Sequence, residues 1–323
     1  MRRTWVVLAL IVMISVLVLP VERAVGAGDV DSFGVVDTSE GVWYLRDPSS
    51  GETTSFYFGN PGDEPFMGDW DCDGVDTPGL YRQSDGYVYL RNANSQGIAD
   101  VSFFFGNPGD FPLVGDFNGD GCDTVSIYRP SQARVYVINE LGTDDEGLGA
   151  ADYSYLFGNP GDAPFTGDFD GDGIDTVGLH RVSTGLVYFR NSHTQGTADD
   201  AFVFGNPDDR IVSGAWTDTH TMDTVGLFRP SQGIMYLNHA NEAGPADEQH
   251  EYGNASMLPV AGFFGALPGG DPAPPGIPTL ATGPVLAIGD SVMLGVGCTP
   301  DRSQCLGGAW NLENQITDLT SDA

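Results

Sequence analysis

Phe157 to Arg181 reads Phe-Gly-Asn-Pro-Gly-Asp-Ala-Pro-Phe-Thr-Gly-Asp-Phe-Asp-Gly-Asp-Gly-Ile-Asp-Thr-Val-Gly-Leu-His-Arg, and versions of this passage recur five times between Asp31 and Phe264. The chain is a repeat array. Its anchor glycines Gly59, Gly106, Gly158, Gly205 and Gly253 lie 47, 52, 47 and 48 residues apart, the length of a four-stranded propeller blade and longer than ankyrin or tetratricopeptide units. A repeat of this size cannot bury its apolar face alone, so stacking the units must build the core.

Within the period, short runs rich in Val, Tyr and Phe alternate with Gly, Pro, Asn and Asp clusters. In one copy the runs are Thr176 to Arg181, Leu186 to Arg190, Ala201 to Phe204 and a stretch ending at Gly214. This is the texture of an antiparallel meander. The fold class read from it is all-β, a β-propeller-like array of about five four-stranded blades. Asn60 to Asp63, Asn107 to Asp110 and Asn159 to Asp162 each place proline and glycine where a type II turn wants them. The aromatic before each anchor glycine (Phe58, Phe105, Phe157, Phe204, Tyr252) is expected to pack between blades. The tyrosines Tyr44, Tyr89, Tyr136, Tyr188 and Tyr236 suit a half-wet position, and Arg82, Arg129, Arg181 and Arg229 are expected to pair with repeat aspartates.

Three copies carry Asp-x-(Asp/Asn)-x-Asp-Gly-x-Asp: Asp69, Asp71, Asp73, Asp76; Asp116, Asn118, Asp120, Asp123; and Asp168, Asp170, Asp172, Asp175. Oxygen ligands at positions one, three and five, glycine at six and a main-chain carbonyl at seven are what a calcium loop uses. The closing carboxylate falls at position eight instead of the glutamate at twelve of an EF-hand, and strands flank the loop in place of helices. The fourth copy, Ala215 to His220, lacks the carboxylates at one, three and five, and the fifth, Gly262 to Gly265, has none. About three Ca2+ sites are therefore expected.

The Phe-Gly-Asn-Pro-Gly-Asp and Asp-Phe-Asp-Gly-Asp-Gly-x-Asp-Thr motifs, spread over roughly residues 31–270, resemble the FG-GAP and VCBS repeat families. The resemblance implies calcium in the loops, a secreted location and an adhesive or carbohydrate-binding role. Integrin heads of that type have seven blades, against five repeats here.

The remaining segments frame this array. Arg2 and Arg3 precede an apolar run from Trp5 to Leu19, followed by Pro20 and the small residues Val25-Gly26-Ala27, which reads as a secretory signal peptide over residues 1–27. The repeats occupy 28–266, and a Pro/Gly-rich linker 267–284 follows them. With the leader removed no membrane span is expected, and the location is secreted or at the cell envelope. A net charge of −32 argues against nucleic acid as a partner, and an envelope polysaccharide or an extracellular protein is expected instead. Cys72, Cys122, Cys298 and Cys305 leave three disulfide pairings open.

Residues 285–323 begin with an apolar strand feeding Gly289-Asp290-Ser291, which resembles the first block of an SGNH (GDSL-type) hydrolase. The resemblance implies Ser291 as nucleophile, with its own amide in the oxyanion hole. Only 32 residues follow Ser291 and none is histidine, so the general base is missing and no catalysis is expected of this chain as it stands. The competing reading is the amino-terminal part of an exported esterase or acyl-hydrolase.

Overall fold

The structure, a computed structural model, describes residues 30–143, 147–219 and 221–276, and every regular element among them is a strand. The chain enters through β1 (Ser32–Asp37), β2 (Val42–Arg46) and β3 (Thr53–Tyr57). Blade two is β4 (Glu64–Gly68), β5 (Thr77–Arg82), β6 (Tyr87–Leu90) and β7 (Val101–Phe104). Blade three follows as β8 (Phe111–Gly115), β9 (Thr124–Arg129), β10 (Arg134–Val137) and β11 (Tyr153–Leu156). Blade four is β12 (Ala163–Gly167), β13 (Thr176–Arg181), β14 (Leu186–Arg190) and β15 (Asp200–Val203). Blade five is β16 (Arg210–Gly214), β17 (Thr224–Arg229), β18 (Ile234–Leu237) and β19 (Glu248–Glu251), and β20 (Leu258–Gly262) ends the array.

Each blade is a four-stranded antiparallel meander, and the blade begun by β1 to β3 is completed by β20, which pairs with β1 from Ser32↔Gly262 to Val36↔Leu258. The two ends of the array thus share one sheet. The innermost strands touch in the cyclic order β20, β4, β8, β12, β16 and back to β20. The structure is a closed five-bladed propeller.

Proline at the second residue of four inner strands (Pro65, Pro112, Pro164 and Pro259) is compatible with this placement. An inner strand is an edge facing the central channel, where a missing N–H breaks no ladder bond. Next to it, Gly79 and Gly178 are obligatory. A Cβ at Gly79 would lie 1.9 Å from the Phe66 ring and one at Gly178 2.2 Å from that of Phe165.

The turn into each of blades two to five is fixed by the same ion pair. Asp63, Asp110, Asp162 and Asp209 are buried, and each accepts two hydrogen bonds from Arg82, Arg129, Arg181 or Arg229 respectively. The same carboxylates accept the main-chain N–H of Asn60, Asn107, Asn159 and Asn206, closing the turn. Each guanidinium lies over a tyrosine of the third strand (Tyr89, Tyr136, Tyr188, Tyr236), 4.5 to 5.4 Å from the ring centroid. The recurrent arginines are scaffold, as their spacing suggests.

The core is divided among the seams. Five apolar clusters each draw on two adjacent blades, for example Leu113, Phe117 and Tyr128 of blade three with Val177, Leu179 and Tyr188 of blade four. The aromatics before the anchor glycines are 3 to 6 % exposed, in keeping with their seam role. Such packing makes each blade's apolar face useful only next to its neighbours, which is why a chain of these units must close or be capped.

One core position differs in chemistry. Tyr81 and Tyr128 are fully buried and donate their hydroxyls to the carbonyls of Asn107 and Phe157 across the seam. Blade four has His180 there, fully buried, with neither ring nitrogen hydrogen-bonded. Burial holds its pKa below the ordinary 6.5, against the opposing pull of Asp209 and Asp162. A histidine with a depressed folded-state pKa stabilises the fold above the unfolded value and loses that contribution as pH falls. His193, also depressed by burial, acts with the same sign. The variant His180→Tyr should therefore gain about 1 kcal/mol at pH 7 by replacing an unsatisfied group with a bonded hydroxyl. Urea melts between pH 7 and pH 5 should show a shallower loss of stability for the variant than for the parent, and equal slopes would refute the assignment.

The start of the Pro/Gly-rich segment lies along β3. The main-chain N–H of Ser55 donates to Asp271 Oδ2 at 2.7 Å, that of Asp271 to the Thr53 carbonyl at 2.9 Å, and Gly269 to Thr54 Oγ1 at 3.1 Å. Residues 1–29, linker residues 277–284, Ser291, Cys298 and Cys305 lie outside the described residues.

Candidate metal centre and the seam aspartates

The acidic loops connect the first and second strands of blades two, three and four. Their fold is set by position one. Asp168 Oδ1 accepts the main-chain N–H of Gly171 at 2.7 Å and of Asp172 at 3.2 Å, and its Oδ2 accepts that of Gly173 at 2.9 Å. Asp116 does the same with Gly119, Asp120 and Gly121, and Asp69 with Asp73 and Gly74. Position five holds the exit: Asp73, Asp120 and Asp172 each accept the N–H of position seven at 3.0 Å.

This winding brings the first three carboxylates together. Oxygens of Asp69, Asp71 and Asp73 lie within 4.8 Å of one another, as do those of Asp168, Asp170 and Asp172. In the middle loop Asn118 takes the place of the second carboxylate and donates its Nδ2 to Asp120 Oδ2 at 2.9 Å. Burial, together with the charges of Asp172 and Asp168, raises the Asp170 pKa above the usual carboxylate range. The arrangement accumulates negative charge that a hard cation would relieve.

Position eight is placed elsewhere. Asp123 does not join its own loop's group; its Oδ2 accepts the N–H of Asp69 at 2.9 Å, while its own N–H donates to the Asp69 carbonyl at 3.0 Å. Asp175 pairs in the same two-way manner with Asp116, and Asp76 with Phe263. The expected closing ligands are thus latches onto the preceding blade. Asp31 with Ala215 and Asp223 with Asp168 complete the set, one latch per seam. The sequence carried a signal for this role: the aspartate stands in all five copies, whereas carboxylates at one, three and five stand in only three.

The five latch aspartates line one end of the central channel, a cavity of about 590 Å³. Burial first, then the charges of Asp223 and Asp123, push the Asp175 pKa well above the carboxylate range. Its sign is opposite to that of His180, since a raised carboxyl pKa weakens folding as pH rises through it.

A disulfide joins Cys72, position four of the Asp69 loop, to Cys122, position seven of the Asp116 loop. Elsewhere the same two positions meet without a covalent bond, as Gly119 against Ile174 and Gly171 against Thr221. Position four is left-handed in the three acidic loops, with φ of 64° at Cys72, 74° at Gly119 and 79° at Gly171.

Side chains from the next hairpin reach the loops. In blade four the Asn191 side chain lies beside Asp170 and pulls its pKa down, against the larger effect of burial, and the buried Asn191 Oδ1 accepts no hydrogen bond. Asn139, at the corresponding place in blade three, also has a buried Oδ1 with no partner. Two residues further along, Asn94 and Asn241 donate to the Asp76 and Asp223 carbonyls, tying the hairpin to the latch residue.

No family model matches the chain, and no curated protein does. Among solved structures it is similar to one described as BBS1N in complex with ARL6DN, soaked with mercury, at 12% identity and a TM-score of 0.34, covering 59% of this chain and 55% of that one. A second is AztD of Citrobacter koseri, at 9% identity and a TM-score of 0.28, covering 69% and 82%. The propeller assignment here rests on the strand order and ring closure.

Proposed function

We propose that this protein is an exported calcium-binding propeller of the FG-GAP/VCBS type, a rigid ring that presents its loops to a polysaccharide or protein of the cell envelope. The observation that carries the calcium reading is the convergence of carboxylates at positions one, three and five in loops whose main chain is already wound around position one. The residues fit the ion on a further count, because the uncompensated Asn191 oxygen beside Asp170 is a hard neutral donor of the kind calcium accepts. Asp69, Asp71 and Asp73, then Asp116, Asn118 and Asp120, then Asp168, Asp170 and Asp172 would hold the ions, each aided by the carbonyl at position seven. Bound calcium would supply positive charge and fix the loop; the loop residues do the orienting. Export is supported by the Cys72–Cys122 disulfide, which belongs to an oxidising compartment.

The test is thermal unfolding with excess calcium and with EDTA. A ligand bound only by the folded state stabilises it by about 2.7 kcal/mol per site at a free concentration one hundred times Kd. We expect chelation to lower the midpoint, added magnesium to restore little of it, and Asp71→Ala combined with Asp170→Ala to remove most of the response. A midpoint indifferent to chelation would eliminate the calcium reading.

A further inference from the structure

We infer that Asn139 and Asn191 are additional cation ligands, each contributing its side-chain carbonyl oxygen from the neighbouring hairpin to the ion held by its own blade's loop. The inference rests on the calcium reading above and extends it to residues outside the loop motif.

Three observations lead to it. The register puts both residues beside the loops: Val177 pairs with Arg190, so Asn191 continues β14 past Thr176, the residue that follows the Asp168 loop. Asn139 follows Ile138, whose main chain is tied to blade three's second strand by Thr124 Oγ1 donating to the Ile138 carbonyl and by Ile138 N–H donating to Ser126 Oγ. In both residues Oδ1 is buried and unbonded, and a buried acceptor left unsatisfied costs about 1–3 kcal/mol. The same position is Asn92, Asn139 and Asn191 in the three blades with acidic loops, but Asp47 and His239 in the two blades without them. The asparagine travels with the loop.

The side-chain chemistry agrees. The Asn191 side chain lies beside Asp170, and its carbonyl oxygen is unspent and free to bind a cation. Calcium takes six to eight oxygens, more than three short carboxylates and one main-chain carbonyl supply. Asn94 and Asn241 also leave Oδ1 unbonded, yet their nitrogens are spent on main-chain carbonyls, and Asn241 belongs to a blade with no acidic loop. Asn92 is exposed and is not included.

The experiment is calcium titration calorimetry on the whole protein, with melting in EDTA as a folding control. For the double variant Asn139→Ala/Asn191→Ala we expect two of three sites to weaken about tenfold while the third is unchanged, the order of effect seen when a supporting group at a metal site is removed. Asn191→Asp keeps an oxygen but places a carboxylate beside Asp170. It should melt lower than the parent in EDTA and show a larger upward shift on adding calcium. A merely structural role predicts lower melting of the variants with parental calcium affinity at all sites, and that result overturns the inference. If the parent protein gives no calcium heat at all, the calcium reading itself falls and takes the inference with it, and that failure is read from the parent trace alone.

Discussion

A chain ending at Ser256 is expected to lose cooperative unfolding, whereas one ending at Gly276 is expected to melt as a single transition. The shorter chain lacks β20, and with it five paired positions along β1, the seam contacts of Val260 and Phe264, and the Asp76 latch onto Phe263. Removing any other single strand would also cost core, but this one is the chain's own link from the last blade into the sheet of the first. Without it, two blades present buried aromatic faces to water, among them Phe33 and Trp43, which are at most 1 % exposed in the closed ring. Burial of a large apolar side chain contributes about 1.5–3 kcal/mol, so a few such losses equal the whole stability of an ordinary domain. Circular dichroism melts and dye binding to exposed apolar surface would measure it. A sharp transition for the Ser256 chain would mean that four blades are self-sufficient and that closure is dispensable.

Reduction of the Cys72–Cys122 bond should cost about 4 kcal/mol, the loop-closure value for a tether between residues separated by 50 positions. The bond is placed where other seams have only van der Waals contact, so its removal should leave the surrounding backbone intact. Left-handed φ at Cys72 adds a second expectation. With Cys122→Ala in both, Cys72→Gly should be more stable than Cys72→Ala by about 1 kcal/mol, because glycine adopts this conformation without a Cβ clash. Guanidinium melts of the two variants with and without reductant would measure both terms. Equal stability of the oxidised and reduced parent would show that the seam is held entirely by its packing and latches.

Much of this architecture was readable in the sequence because it repeats. The strand runs, the aromatics before the anchor glycines and the pairing of arginine with the turn aspartate all depend on contacts within one period or between adjacent periods. What was hidden depends on separation. Ring closure joins Asp31 to Ala215 and Asp76 to Phe263, 184 and 187 residues apart, and the weak copy at Gly262 resembles a decayed end rather than the inner strand of the first blade. The latch role of position eight was hidden for a related reason. An aspartate three residues beyond a carboxylate cluster looks like its last ligand, and only the course of the chain shows that Thr77, Thr124 and Thr176 have already turned into the next strand by then. Asn139 and Asn191 were missed because a second hairpin strand intervenes between them and the loops they approach.

The latches have one consequence for how such an array can vary. Each aspartate grips the main chain of its neighbour, and those bonds are indifferent to what the neighbouring loop encodes. Blade five shows the outcome: Asp31 holds Ala215 by the same two bonds with which Asp123 holds Asp69. Units joined this way are interchangeable parts. An ion-holding loop can be gained, lost or moved around the ring without renegotiating the joints, and the protein's binding face can diverge while its frame stays the same.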